Sequence, residues 1–142
     1  MEDYSIEDYQ IFGGTAYDGD YARYGSQNAR LHSSFGYRAE PSADTARDII
    51  VITLNEEMVI TGIATQGYGG PGVLEWVTGF YLLYTSFEGI RLPVINANGR
   101  EMTATPSRDE LPIPVLASTV YIKPITKHKN VGLRLELYGC KG

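Results

Sequence analysis

The chain has 142 residues, 43% hydrophobic and 20% charged, with a net charge of −5. A chain of that length is read as one domain, residues 1–142, whose core hides roughly 68–70% of the surface an unfolded chain would expose. The apolar fraction argues against disorder, the lack of an eighteen-residue apolar run against a membrane-spanning helix, and the acidic balance against a nucleic-acid binder, which needs clustered Lys and Arg.

The opening stretch MEDYSIEDYQI lacks a basic segment followed by an apolar one, so the sequence carries no secretory signal of its own. If the protein is secreted, it has been excised from something longer. Residues 13–48 lack strand character and read as a long loop with short strands embedded, with a reversal at Asp18-Gly19. Loops of such length in a compact domain are usually functional. This one holds Tyr17, Tyr21 and Tyr24, three of the chain's eleven tyrosines, at a spacing that fits no core stripe. With Arg23, Tyr37, Arg38 and, further along, Tyr68, they have the chemistry of a recognition surface: rigid faces, hydroxyls and planar cations. The alternative is that some of them pack their own loops. His32 is followed by Ser33 and Ser34, but neighbours on an extended chain face opposite ways, so these are polar loop residues and not a nucleophile with its base.

Short apolar runs then dominate: IIVITL at 49–54, MVITGIAT at 58–65, FYLLYT at 80–85, TVYI at 119–122 and VGLRLELY at 131–138. They read as strands, separated by turn chemistry at Asn55-Glu56-Glu57, Glu88-Gly89 and Asn98-Gly99, and together suggest an all-β sandwich or jelly roll. In the last run Leu133, Leu135 and Leu137 share one face and are expected to be buried, with Arg134, Glu136 and Tyr138 on the other. Residues 96–118 read as a second long loop with short strands embedded.

Between the second and third strands lies TQGYGGPGVLEWV, with four glycines from Gly67 to Gly72. A phosphate cradle must lead from a strand into a helix. Here a strand follows, Pro71 removes an amide donor and no Lys-Ser/Thr pair comes after, so the stretch is a strand-to-strand loop expected to carry Tyr68, Val73 and Leu74 outward. Glu56, Glu57, Asp109 and Glu110 sit in turn-like contexts and form no shielded carboxylate pair. His32 and His128, the only histidines, have neither a cysteine beside them nor a ligand spacing, so no catalytic residue, metal site or cofactor is implied. Cys140, the single cysteine, is either a tolerated terminal thiol or one that has lost its partner.

ARLHS at 29–33, VITGIATQG at 59–67, EWVTGFYLLYTS at 75–86 and VGLRLELYGC at 131–140 resemble the discoidin domain, also called the coagulation factor V/VIII type C domain. The resemblance runs from about Met1 to Cys140. It implies a distorted jelly-roll barrel of about eight strands, with ligand-binding loops, or spikes, at one pole. By motif the first spike spans about Tyr17 to Asn28, the second Phe35 to Asp48 and the third Tyr68 to Leu74, and a further loop at that pole carries Lys127-His128 where relatives often have Trp-His.

The resemblance also implies a non-enzymatic, extracellular or cell-surface module of a larger protein that binds a cell-surface or matrix protein or a glycan. The expected ligand-binding residues are Tyr17, Tyr21, Arg23, Tyr24, Tyr37, Arg38, Tyr68, Val73, Leu74, Lys127 and His128. Two other readings share the fold. One is peripheral, weak binding of anionic phospholipid through Val73, Leu74 and residues 127–129; the other is an accessory carbohydrate-binding module of an enzyme. The family's opening cysteine, which pairs with the closing one, is absent, so the resemblance implies that the partner of Cys140 lies upstream of this chain. Ile50 and Tyr37 stand where the family has tryptophans, which keeps bulk but loses indole packing.

Overall fold

The computed structural model describes residues 6–31, 35–41, 48–85, 91–94 and 107–141. Its strands are β1 (Ile11–Gly13), β2 (Tyr37–Arg38), β3 (Ile50–Gln66), β4 (Trp76–Thr85), β5 (Arg91–Val94), β6 (Ser107–His128) and β7 (Gly132–Lys141). They form one curled antiparallel sheet in the order β2-β7-β3-β6-β4-β5, with β1 also paired to β3. This is the expected all-β, jelly-roll-like architecture. Helix is confined, among the described residues, to short turns and the four-residue α1 (Tyr21–Tyr24).

β3 is the spine. It pairs with β1, β6 and β7, and the two strands read at 49–54 and 58–65 are one strand that does not end at Asn55-Glu56-Glu57. The register shifts there instead, with Thr53 opposite Thr119 and Met58 opposite Ala117, so extra residues of β3 bulge out against β6 and curl the sheet.

Residues 107–118 correct the sequence reading more sharply, because they belong to one continuous strand and not to a loop with short strands embedded. Pro112 and Pro114 hide the pattern. Ile60 pairs with Val115 and Gly62 with Glu110, so both prolines fall in the irregularity between those pairs, where no ladder N–H is needed. The expected turns at Glu88-Gly89 and Asn98-Gly99 and the His32-Ser33-Ser34 run lie outside the described residues, as do the side chains of Asp109, Glu110 and Cys140.

The core follows from alternation along β3, β4, β6 and β7. Ile50, Ile52, Ile63, Phe80, Leu82, Val120, Ile122, Leu133 and Leu135 are fully buried. Leu137 is only partly buried, packing against the core's edge. The opposite face of β7 is not open to solvent as the alternation suggests: Glu136 is buried, and Arg134 Nε donates to the Gly67 carbonyl at 2.9 Å. Loops cover that face.

Candidate functional site

The chain leaves β1 through a turn at Tyr17–Gly19, where Asp18 and Gly19 both take left-handed backbone (φ 55° and 69°), and enters α1. The Asp20 carboxylate caps that helix by accepting from the Arg23 N–H. This local geometry turns Tyr17 and Tyr24 toward each other, edge to face at 5.4 Å. Arg38 comes to the same place from β2, its guanidinium 3.6 Å from the centre of the Tyr17 ring, and Tyr24 and Tyr68 lie 5.7 and 5.5 Å away.

The glycine loop supplies the floor. Tyr68 N–H donates to the Glu75 carbonyl and Val73 N–H to that of Gly70, which folds the loop back on itself. Gly69 N–H reaches the Phe35 carbonyl at 2.7 Å, and the Phe35 and Tyr68 rings lie 6.1 Å apart. Gly132 permits the approach: a Cβ there would meet both the Tyr68 Cβ and the Glu75 carbonyl at 2.7 Å. Parts of the three segments that the resemblance marks as spikes therefore meet.

Glu75 locks the cation in place. Arg38 Nε donates to one of its carboxylate oxygens at 2.9 Å and Nη2 to the other at 2.8 Å, while Asn130 Nδ2 adds a third bond at 3.0 Å and also donates to the Ala39 carbonyl. Burial pushes the Glu75 carboxyl up, but the bonds from Arg38 and Asn130 and the charges of Arg38 and Lys127 outweigh it and hold the group below its ordinary 4.5. Bonding to Glu75 in turn raises the Arg38 guanidinium. A carboxylate depressed in the folded state contributes stability above its unfolded pKa, and that contribution is lost as pH falls through the folded value. Denaturation midpoints measured against pH will therefore drop on acidification below the ordinary carboxylate range, and Glu75→Gln will flatten that limb.

Two expected site residues turn inward. Tyr37 is fully buried, because adjacent strand residues face opposite ways and Arg38 takes the outward side; its hydroxyl lies 3.3 Å from the buried Asp48 carboxylate. Tyr68 is not carried outward either. It is only 9% exposed, its ring tucked beneath Gly70, where the missing side chain leaves room. It is a floor rather than a fingertip. Tyr21 and Leu74, each 57% exposed, and Arg23 do face solvent, while Tyr17, Tyr24 and Val73 are half-buried.

Lys127 and His128 join the rim through the end of β4. His128 stacks on Trp76 at 4.0 Å with 14° between the rings, so an aromatic wall is rebuilt from the β4–β6 pair. Glu75, Trp76, Asn130 and Phe35 escaped the sequence reading. The available signal was EWVT directly after the glycine loop, which places a carboxylate and an indole at the loop's exit. Among the described residues no group of three or more His, Cys, Asp or Glu could hold a metal ion.

No family model matches the chain. It is 29% identical over 153 residues to discoidin domain-containing receptor A of Caenorhabditis elegans, covering 99% of this chain and 20% of that protein. It is 28% identical over 148 residues to coagulation factor VIII of Canis lupus familiaris, covering 99% and 6%. The chain thus spans a fifth or less of these two relatives' length. Among solved structures, recombinant discoidin II of Dictyostelium discoideum superposes with a TM-score of 0.74 at 24% identity, over 93% of this chain and 55% of that one. The family 32 CBM from C. perfringens NanJ, in complex with galactose, superposes with a TM-score of 0.64 at 15% identity, over 94% and 96%. Along almost the whole chain the sequence is similar to proteins that carry discoidin, or factor V/VIII type C, domains, and the fold is the one they share with discoidin II.

Proposed function

We propose that the chain is a non-enzymatic binding module, part of an extracellular or cell-surface protein, that takes a protein or glycan ligand on the surface formed by Tyr17, Tyr24 and Arg38 over the Tyr68 floor. The observation that carries this reading is the clamped cation: Arg38 is held by Glu75 at 2.8–2.9 Å and stacked on Tyr17 at 3.6 Å. A preorganised planar cation between aromatic faces orders little further on binding, which favours affinity. Tyrosine faces stack on sugar or peptide planes, and their hydroxyls supply directed hydrogen bonds. The galactose in the NanJ neighbour makes glycans the first ligands to try, and the aromatic, cationic surface makes cell-surface and matrix proteins the next. Glycan and matrix-protein arrays test the reading directly, and a chain that binds neither while pelleting with vesicles refutes it.

The second reading, anionic phospholipid, is favoured by the 57% exposure of Leu74. One leucine and a half-buried valine supply only about 1.5–3 kcal/mol each when fully buried, and Lys127 with Lys129 adds about 1 kcal/mol apiece near an anionic surface, which salt screens. Vesicle binding is therefore expected to be weak and lost at physiological salt. Val73→Ala with Leu74→Ala will leave array binding nearly unchanged; cosedimentation that survives salt and vanishes in this double variant gives the site to lipid.

A further inference from the structure

Several of the described tyrosines have structural work. Tyr37 lies in the core, Tyr17, Tyr24 and Tyr68 form the cluster, and the Tyr121 hydroxyl accepts from Thr85 Oγ1 at 3.1 Å. Tyr9 differs. It is 77% exposed, on a backbone turn that is fixed on both sides. Glu7 N–H donates to Gln10 Oε1 at 2.8 Å, the buried Gln10 donates to the Thr53 carbonyl at 2.7 Å, and the buried Arg30 donates to the Ile6 carbonyl at 2.7 Å. The ring is thus presented outward from a rigid base.

Its surroundings are anionic. Glu7 and Asp8 precede it directly and both are exposed. The first twenty-two residues contain six carboxylates, and Arg23 is the first Lys or Arg of the chain. Arg30 does reach one Asp8 oxygen at 2.9 Å, but the Asp8 side chain stays 72% exposed while Arg30 is only 8% exposed, so the surface around Tyr9 presents the carboxylates and not the guanidinium. Tyr21 also follows an aspartate and is exposed, yet a single carboxylate precedes it directly and a cation, Arg23, stands two residues on. An enzyme that handles an anionic group donor has a cationic site, and an exposed phenol behind two carboxylates is the electrostatic complement of such a site.

We propose that Tyr9 is a site of tyrosine O-sulfonation. The phenolic oxygen attacks the sulfur of a nucleotide phosphosulfate held by a sulfotransferase. An O–S bond forms to the tyrosine, the S–O bond to the phosphate breaks, the nucleotide phosphate leaves with the electron pair, and the phenolic proton passes to a base of the transferase. The product carries a fixed negative charge on an exposed ring. Tyr9 and the first spike leave β1 at opposite ends, so the sulfate adds an anionic feature suited to a cationic partner without touching the Arg38 cluster.

The inference rests on the extracellular reading, because protein tyrosines meet this donor in the lumen of the secretory pathway, and the test separates the two. The purified chain is incubated with a tyrosylprotein sulfotransferase and a radiolabelled phosphosulfate donor, and the product is located by fragment mass spectrometry. The expected result is sulfonate on Tyr9, complete loss of that label in Tyr9→Phe, and a several-fold slower transfer in Glu7→Lys, a variant that leaves the Asp8–Arg30 pair intact. No transfer to Tyr9, transfer confined to another tyrosine, or indifference to Glu7→Lys overturns the proposal. The chain is also secreted from animal cells behind an added signal peptide. Phosphatase-resistant sulfonate on Tyr9 supports the site, and phosphate there overturns it. Failure of secretion sinks the extracellular reading alone, since transfer in vitro still decides the site.

Discussion

Tyr37→Ala will lower the free energy of unfolding by about 3–5 kcal/mol, a large share of the roughly 5–15 kcal/mol that a domain has. Tyr37→Phe will lower it by only about 1 kcal/mol, the net worth of one ordinary hydrogen bond. The ring is completely buried against the β7 side of the core, in register with Leu133, so truncation leaves a cavity that fixed strands cannot fill. The hydroxyl matters less, because its 3.3 Å contact to Asp48 is long and that carboxylate also accepts from Thr15 Oγ1 at 2.7 Å and from Thr15 N–H at 3.2 Å. Burial, and then the Asp48 charge, push the phenol well above its ordinary value, so it stays protonated and keeps donating across the accessible pH range. Tyr37→Trp, which restores the residue expected from the family, will also destabilise, by about 1–3 kcal/mol through overpacking. The physical reason is Gly14, whose missing side chain leaves the space that the Tyr37 hydroxyl already fills. Urea midpoints of the three variants check the order; equal costs for alanine and phenylalanine would assign the site to the hydroxyl instead of the ring.

The fold was legible where apolar and β-branched runs were uninterrupted or alternated with period two, as in β4 and β7. It was illegible where a strand carries prolines in its irregularities, as β6 does at Pro112 and Pro114, because sequence cannot say which N–H groups the ladder leaves unused. The site divides in the same way. Tyrosine is apolar along its ring and polar at its tip, so composition picked out the aromatic cluster but could not separate Tyr37 and Tyr68, which turn inward, from Tyr17 and Tyr21. Glu75 and Asn130 were hidden for a different reason. Each is an ordinary polar residue whose role comes only from meeting Arg38 across 37 residues of chain, or across 55 between the two of them.

Tyr17→Ala and Arg38→Ala will each weaken binding of the array-selected ligand by about 2 kcal/mol or more, roughly thirtyfold, whereas Tyr68→Phe will leave it nearly unchanged. Tyr17 and Arg38 form one stacked unit at 3.6 Å, so removing either half frees the other: without the ring the guanidinium loses a face, and without the guanidinium Glu75 keeps only the Asn130 bond in the side-chain network of this cluster. Much of the Arg38→Ala penalty is that half-buried carboxylate left with one donor, which is why Arg38→Lys, a point charge lacking the two-pronged geometry, is expected to rescue only in part. Tyr68 supports from below. Its ring lies among Tyr24, Phe35 and Arg38, and the shape that phenylalanine preserves is what the floor contributes. Tyr68→Ala, in contrast, removes the floor and will cost both stability and affinity. Titration calorimetry of the five single-site variants, each checked for a native unfolding transition, separates these roles. If Tyr68→Phe loses binding while Tyr17→Ala keeps it, the ligand is held by the loop hydroxyl and the stacked cation is only scaffold.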